Sequence, residues 1–338
     1  MAIVIAFMCR IFLYWHVKHE ILFIDHEVSG GKMKRHIVIL NPTAGKGHAE
    51  KRIPEIESFF FQHKIEYEIV LTEHPGHAIK LAETYALMDD TLIIAAGGDG
   101  TINEIINGLM HAKKKLKDRI PAFGVLAIGR GNDFAFSANI PTGLGEDLMR
   151  IKEGQPVPID VGEVKGGDYP EGRYFGNGLG IGFDTIVGLE AAKMNHVHGS
   201  AAYALGAIKT LIKYPAAPDL DIHYGQKTIS ISPALVSVMN GRRLGGSFFM
   251  GIKAKMDDGL FDICMTKQGK RRTLLSAMMA YTKGTQGERE DTLTGRTEKL
   301  RVEALSGTMA VHADGETICE AGNSLEITNH KHALLIIE

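Results

Sequence analysis

Apolar positions along this chain fall into two textures. In the first, short continuous apolar runs at residues 36–40, 65–71, 92–95 and 123–128 read as strands. Stretches of helical period lie between them. One begins near His48 and carries Ile53, Ile56 and Phe60 on one face, and a second covers residues 77–88. A third runs on from Ile102, with Ile105, Ile106 and Leu109 in register and Asn103, Glu104 and Asn107 turned elsewhere. Strand–helix alternation of this kind predicts an α/β domain whose ligand crevice lies at the carboxyl ends of the strands.

Beyond about residue 158 glycine and proline rise and helical period becomes rare. Short β-like runs appear at 173–177, 227–238, 260–265 and 299–304, with helices only around 200–213 and 271–282. The expectation is a nucleotide-binding α/β domain over 33–158 and a mainly β substrate domain over 159–324. Residues 325–327 and 333–337 are strand-like, and the segment 325–338 is expected to return to the edge of the first domain. Residues 1–32 fit neither texture. Arg10 interrupts their apolar runs, and Lys18, His19 and Glu20 follow, so the stretch is too short and broken to span a bilayer. It reads as an extension or mis-assigned start ahead of a domain beginning near Met33, with an interfacial anchor or a packed accessory strand or helix as the alternatives.

Composition narrows the class. At 338 residues, 44% hydrophobic and 23% charged, the chain has the balance of a globular protein with room for two domains. A formal net charge of -2 argues against a mainly electrostatic nucleic-acid binder. Cys9, Cys264 and Cys319 form neither a zinc spacing nor a disulfide framework, which suits a reducing cytoplasm.

The chemistry concentrates at glycine turns. In Gly97-Gly98-Asp99-Gly100-Thr101 the glycines let a ligand approach the backbone, and the helix that follows offers unpaired amides to an anion. A carboxylate there would repel phosphate unless a divalent cation joined them, so Asp99 is a candidate Mg²⁺ ligand. Thr101 is placed as the helix N-cap, with Glu104 completing a capping box. Asn41 to Gly47, containing Gly45, Lys46 and Gly47, is a second loop on the same rim, without the spacing of a Walker A motif. Thr72 ends the second strand there. Arg130, Asn132 and Asp133 arrive on a third loop, where Arg130 has the donor fork for phosphate. In the second half, Lys255 to Asp262 joins a tight acidic turn to a strand. Asp314 and Glu316 straddle Gly315, where Asp314 can accept a proton from an alcohol; a hairpin turn is the competing reading. Lys113, Lys114, Lys115 and Lys117 form a basic run that is either membrane-facing or simply solvated.

Together these segments resemble the diacylglycerol-kinase catalytic family, in particular the bacterial YegS/DgkB-like lipid kinases. The likeness runs from Asn41-Pro42 and Gly45-Lys46-Gly47 through Gly97 to Gly108, Gly131 to Ala135, Gly178 to Asp184, Asp257-Asp258-Gly259 and Asp314-Gly315-Glu316. It implies an N-terminal α/β domain related to NAD kinases and phosphofructokinases, with a C-terminal β-sandwich-like domain. It also implies ATP- and Mg²⁺-dependent phosphorylation of a lipid hydroxyl by an enzyme that meets the membrane peripherally from its cytoplasmic side. On that resemblance Asp99 serves nucleotide and Mg²⁺, Asp314 is the general base and Glu316 supports metal or water. A structural Mg²⁺ would sit at Lys255, Asp258 and Leu260. The chain departs from the pattern at Arg130 (commonly Thr or Ser), at Phe136 (frequently Arg) and after Thr285. The acceptor lipid and a homodimeric state are left open, and a small-molecule kinase such as an NAD kinase, or a weak nucleotide- or lipid-binding sensor, are the alternatives.

Overall fold

A computed structural model describes residues 35–116, 119–193 and 200–338, with side chains from residue 205 in the last segment. The expectations for residues 1–32, Cys9, Met33 and Lys117 lie outside the described residues. The first domain runs β1 (Arg35–Leu40), α1 (Ala44–Lys51), α2 (Ile53–Gln62), β2 (Tyr67–Leu71), α3 (His77–Ala86), β3 (Thr91–Gly97), α4 (Asp99–Lys113), β4 (Ala122–Ala127), α5 (Asp133–Ser137) and α6 (Leu144–Glu153). Its strands are parallel in the order β2-β1-β3-β4. Continuous apolar runs arise because both faces of this sheet are covered. Ile37, Ile39, Ile93 and Val125 pack with Ala78, Ile102 and Ile105 on one side. Val38, Leu40, Ile94 and Leu126 pack with Ile56, Phe60 and Leu148 on the other.

The helix expected from His48 is broken at Arg52, where Pro54 opens a second helix; a proline ring fits a first turn and disrupts an interior. The third helix begins at Asp99, so the aspartate itself stands in the first turn.

The rest comprises β5 (Pro156–Gly166), β6 (Tyr169–Phe175), β7 (Gly178–Gly182), α7 (Phe183–Ala192), α8 (Ser200–Lys213), β8 (Asp219–Tyr224), β9 (Lys227–Ile231), β10 (Pro233–Met239), β11 (Phe261–Lys267), α9 (Arg271–Lys283), β12 (Thr292–Thr297), β13 (Lys299–Ser306), β14 (Met309–Ala313), β15 (Glu316–Gly322) and β16 (Ser324–Ile337). One sheet continues from the first domain as β4-β16-β13-β8-β9, with β5 and β6 attached; a second runs β12-β11-β10-β7-β14-β15. Their facing sides share Val164, Phe175, Ile222 and Val302 with Leu179, Val236, Ile263 and Val311, a sandwich core. The run at 227–238 is two strands in different sheets, divided at Pro233, which has no amide for a ladder.

Residues 325–327 and 333–337 are two parts of β16. Its first half pairs with β13, and Leu335 and Ile336 lie parallel to Ala122 and Phe123 of β4. The chain's last strand therefore stitches the two domains together. Among the described residues no helix is long and apolar enough to cross a membrane.

Candidate active site

Helix α4 carries Asp99, Asn103 and Asn107 at four-residue spacing, which stacks them on one face. Each does something different. Asp99 Oδ1 accepts the Phe134 amide at 3.0 Å and so holds the 129–134 loop to the rim. Asn103 Nδ2 donates to Tyr174 O at 3.0 Å and to Asp314 Oδ2 at 3.1 Å, while its Oδ1 accepts from Arg173 Nη2 at 3.0 Å. Asn107 takes the Tyr174 amide on Oδ1 and returns a hydrogen bond to Tyr174 O, both 2.9 Å, matching the edge of β6 as a strand would.

The expected capping box does not form. Gly98 holds the N-cap position and Thr101 is buried inside the helix. Gly97 permits this, since a Cβ there would lie 2.5 Å from Thr101 Oγ1. Glu104 instead reaches the neighbouring helix, accepting the amides of Gly76 at 2.8 Å and Ala78 at 3.0 Å at the start of α3. A glutamate three residues after a threonine fits either arrangement; tertiary contact decided it.

Asp314 arrives from the other domain. It and Gly315 form a two-residue hairpin between Ala313 and Glu316, with φ of 49° and 86°. Positive φ at both positions is the turn geometry that favours Asp-Gly. The hairpin reading and the functional reading thus hold together. The turn directs the carboxylate at the 176–178 loop, where Oδ1 accepts the amides of Asn177 (3.0 Å) and Gly178 (2.8 Å), and Oδ2 accepts that of Gly176 (2.7 Å) beside Asn103. Burial pushes the Asp314 carboxyl above the ordinary range, outweighing the four donors that pull it down. Glu316 is exposed at the start of β15.

The remaining rim residues gather at the carboxyl ends of β1, β3 and β4. Asn41 Oδ1 accepts from the Thr43 amide and hydroxyl, and its Nδ2 donates to Thr101 Oγ1 at 3.2 Å, tying the first loop to α4. Gly45, Lys46 and Gly47 have φ of 60°, 63° and 81°, three left-handed residues in succession. Lys46 and Arg130 are exposed, whereas Asn132 is buried with its Nδ2 on Ala127 O at 3.2 Å. The Thr72 amide donates to Leu40 O at 2.9 Å, fixing it beside the first loop.

The electrostatics favour a cation. Burial first, then the charges of Asp133 and Asp314, push the Asp99 carboxyl upward, while the Phe134 amide pulls it down. Asp133 has its own countercharge in Arg243, whose Nε donates to Oδ1 at 2.8 Å. Asp99 has none among these contacts, and a magnesium ion held by one carboxylate plus substrate phosphates and water fits such a position. Among the described residues no group of three or more His, Cys, Asp or Glu side chains is arranged to hold a metal.

The 255–260 turn is different. Asp258 Oδ2 pairs with Arg296 Nη2, and its Oδ1 accepts the Leu260 amide at 3.0 Å. Buried Asp160 accepts the Gly259 amide at 2.6 Å and the His332 amide at 2.8 Å. One partner on each oxygen takes two of the about four acceptor directions of Asp258, and Arg296 offsets its charge. The basic run is also occupied. Lys113 bonds to Ala333 O at 2.7 Å, Lys114 lies over Tyr174, and Lys115 pairs with Glu83 at 2.6 Å.

Sequence reasoning left two participants out of the site. Arg243 crosses from the second domain to clamp the third loop, donating also to Gly131 O at 2.9 Å, and its guanidinium sits 4.1 Å from the centre of the Phe136 ring. Asn177 presents a backbone donor to Asp314 and joins the domains by accepting from Ser137 Oγ at 2.9 Å. An Asn flanked by glycines in Phe-Gly-Asn-Gly-Leu-Gly was the available signal for the second.

Residues 35–164 match the diacylglycerol kinase catalytic domain, and residues 177–336 match the YegS C-terminal NAD kinase beta sandwich-like domain. The chain is 29% identical over 289 residues to a diacylglycerol kinase of Bacillus subtilis, covering 84% of this chain and 90% of that one. It is 26% identical over 299 residues to one from Staphylococcus saprophyticus, covering 88% and 94%. In fold it resembles the crystal structure of a diacylglycerol kinase from Bacillus anthracis, with a TM-score of 0.63 and 21% identity over 90% of this chain and 96% of that one.

Proposed function

The chain belongs to the bacterial YegS/DgkB-like family of lipid kinases, and from that premise we propose that it transfers the terminal phosphoryl group of ATP, with Mg²⁺, to the hydroxyl of diacylglycerol or a related membrane alcohol. The observation that carries this reading is the convergence of Asp99, Asn103 and Asp314 from two domains on one point. Phosphoryl transfer is mostly positioning and charge stabilisation; the arrangement supports the first directly and the second through a cation that Asp99 would hold.

In this reading the phosphates lie against the amides of the 45–47 loop and the start of α4, with Lys46 and Arg130 at the rim. Asp99 would hold Mg²⁺, which when bound would offset charge on the transferred group. The lipid hydroxyl sits at Asp314. Its oxygen forms a bond to the γ-phosphorus, the bond from that phosphorus to the ADP oxygen breaks, and the hydroxyl proton passes to Asp314. A carboxylate offers about four lone-pair directions, and protein donors fill all four here. One donor must yield for the proton to arrive, and of the four Asn103 alone is a side chain.

Incubating the protein with γ-labelled ATP, Mg²⁺ and a mixed lipid extract tests the proposal. Label in a lipid, lost in D314N and D99N, supports it. Label in NAD and none in lipid points to a small-molecule kinase, and nucleotide binding without turnover to a sensor.

A further inference from the structure

Two acid-free stretches meet on the second domain. No Asp or Glu lies between Glu190 and Asp219, or between Asp262 and Glu288, in a chain with 40 acidic residues among 338. The first stretch holds Lys193, Lys209 and Lys213, and the second has five basic residues from Lys267 to Lys283. Helices α7, α8 and α9 come together here. Phe183, Val187 and Leu274 form a small core against which Leu211 and Met278 pack, and Arg271 Nη2 donates to Ile212 O at 2.8 Å.

What faces outward is apolar as well. On α8, Leu205, Ile208 and Ile212 are 45%, 54% and 67% exposed at helical spacing, opposite the inward Leu211. On α9, Leu275 and Met279 are 47% and 58% exposed, four residues apart. Lys209 and Lys213 border the α8 stripe. They reach Glu190 of α7 at 2.5 and 3.0 Å, with Lys193 at 3.7 Å, so one buried acid faces three lysines and the surface stays positive. The patch connects to the acceptor half of the site: Asp184, in the first turn of α7, pairs with His312 Nε2 at 3.0 Å, two residues before Asp314.

We propose that the outward faces of α8 and α9 dock the protein on an anionic lipid bilayer, the five apolar side chains entering the headgroup–acyl boundary and the surrounding Lys and Arg meeting lipid phosphates. Apolar side chains bordered by long basic ones, with Glu190 facing three lysines and Asp291 paired by Arg289 beside α9, match an anionic membrane in charge and in polarity. The inference deepens the lipid-kinase reading and rests on it for bringing a bilayer to this protein. It places the docking surface on the second domain rather than on the Lys113–Lys115 run of the first.

Flotation of the full chain with phosphatidylglycerol/phosphatidylcholine vesicles, without ATP or diacylglycerol, tests it. Wild type binds the mixed vesicles, ignores pure phosphatidylcholine and is released by salt, each basic side chain near the surface contributing about five-fold in partition. The I208E/I212E double variant and, separately, L275E/M279E bind at least ~10-fold more weakly with unchanged thermal melts. Variants that float like wild type overturn the proposal, as does binding indifferent to lipid charge. So does a dimer that I208E/I212E splits while vesicle binding persists, since the face would then join two copies of this chain. The kinase reading fails separately, by absent phosphorylation of detergent-dispersed diacylglycerol, and that result leaves flotation interpretable.

Discussion

Asn103 donates to Asp314 at 3.1 Å, joining two side chains 211 positions apart and from different domains. The same Asn103 amide holds Tyr174 O, and its carbonyl holds Arg173, so this residue lies in both the domain seam and the candidate proton-accepting site. Asp99, one helical turn earlier on the same face, lies close enough for the charge of Asp314 to raise its proton affinity. The proposed phosphate side and acceptor side thus share one helix as their common reference.

Asn103→Ala tests that relationship. Asp314 must be ionised to accept a proton, so kcat/KM rises with pH through the Asp314 titration, which burial places above the ordinary carboxylate range. Removing a donor that favours the charged form raises it further, and the acid limb of the profile moves to higher pH. We expect about a ten-fold loss on the acid limb of the profile, shrinking as pH rises. A loss equal at every pH would make Asn103 only a seam residue.

Asp314→Asn and Asp99→Asn separate the two halves of the reaction. D314N removes the proposed proton acceptor and leaves the proposed phosphate rim intact. It should bind Mg-ATP as wild type does while turnover falls about 10²–10⁴-fold. D99N removes the carboxylate assigned to the cation, so its nucleotide binding weakens and ceases to depend on Mg²⁺. Calorimetric titration of each with ATP, with and without Mg²⁺, distinguishes them; equal Mg²⁺ dependence in both would remove Asp99 from the metal role.

Much of this was legible along the chain, for reasons that differ from place to place. The parallel strands were readable because both sheet faces are buried, which leaves unbroken apolar runs such as Ile37 to Leu40. Strand β7 was not, because its glycines oppose strand propensity. They are there for close approach: a Cβ on Gly180 would lie 1.9 Å from Asp184 Oδ2 and 2.6 Å from His312 Nε2. Asp99 and Asp314 stood out by turn chemistry, since a glycine turn that opens a helix and an Asp-Gly hairpin are local signals. Arg243 carries no such signal, because its contact with Asp133 exists only once the domains meet, and the Gly176–Gly178 amides reach Asp314 only once β14 pairs with β7.

Glu104→Ala checks the redirected cap. Its carboxylate receives two amides at the start of α3, so the loss should resemble that of a helix cap, about 1–2 kcal/mol in urea unfolding. Activity per folded molecule should change little. A Thr101→Ala variant would show the larger loss if the local capping box were the true arrangement.

Gly100→Ala separates the glycine turn's structural role from its role toward a ligand. Gly100 lies in the first turn of α4, is exposed, and a Cβ built there meets nothing within 4 Å. Its φ is not in the left-handed region, unlike those of Gly45 and Gly47. Folding alone therefore gives no reason for glycine, and alanine should stabilise the helix by about 0.5–1 kcal/mol. If ATP phosphates rest on these amides, the added methyl occupies their approach, and the KM for ATP should rise about ten-fold or more while the melting temperature holds or increases. Gly45→Ala is the control. Its φ of 60° and a Cβ 3.0 Å from Ile128 O predict lost stability together with lost binding. Unchanged ATP affinity in G100A would detach the helix N-terminus from the phosphate and leave the 45–47 loop as its principal cradle.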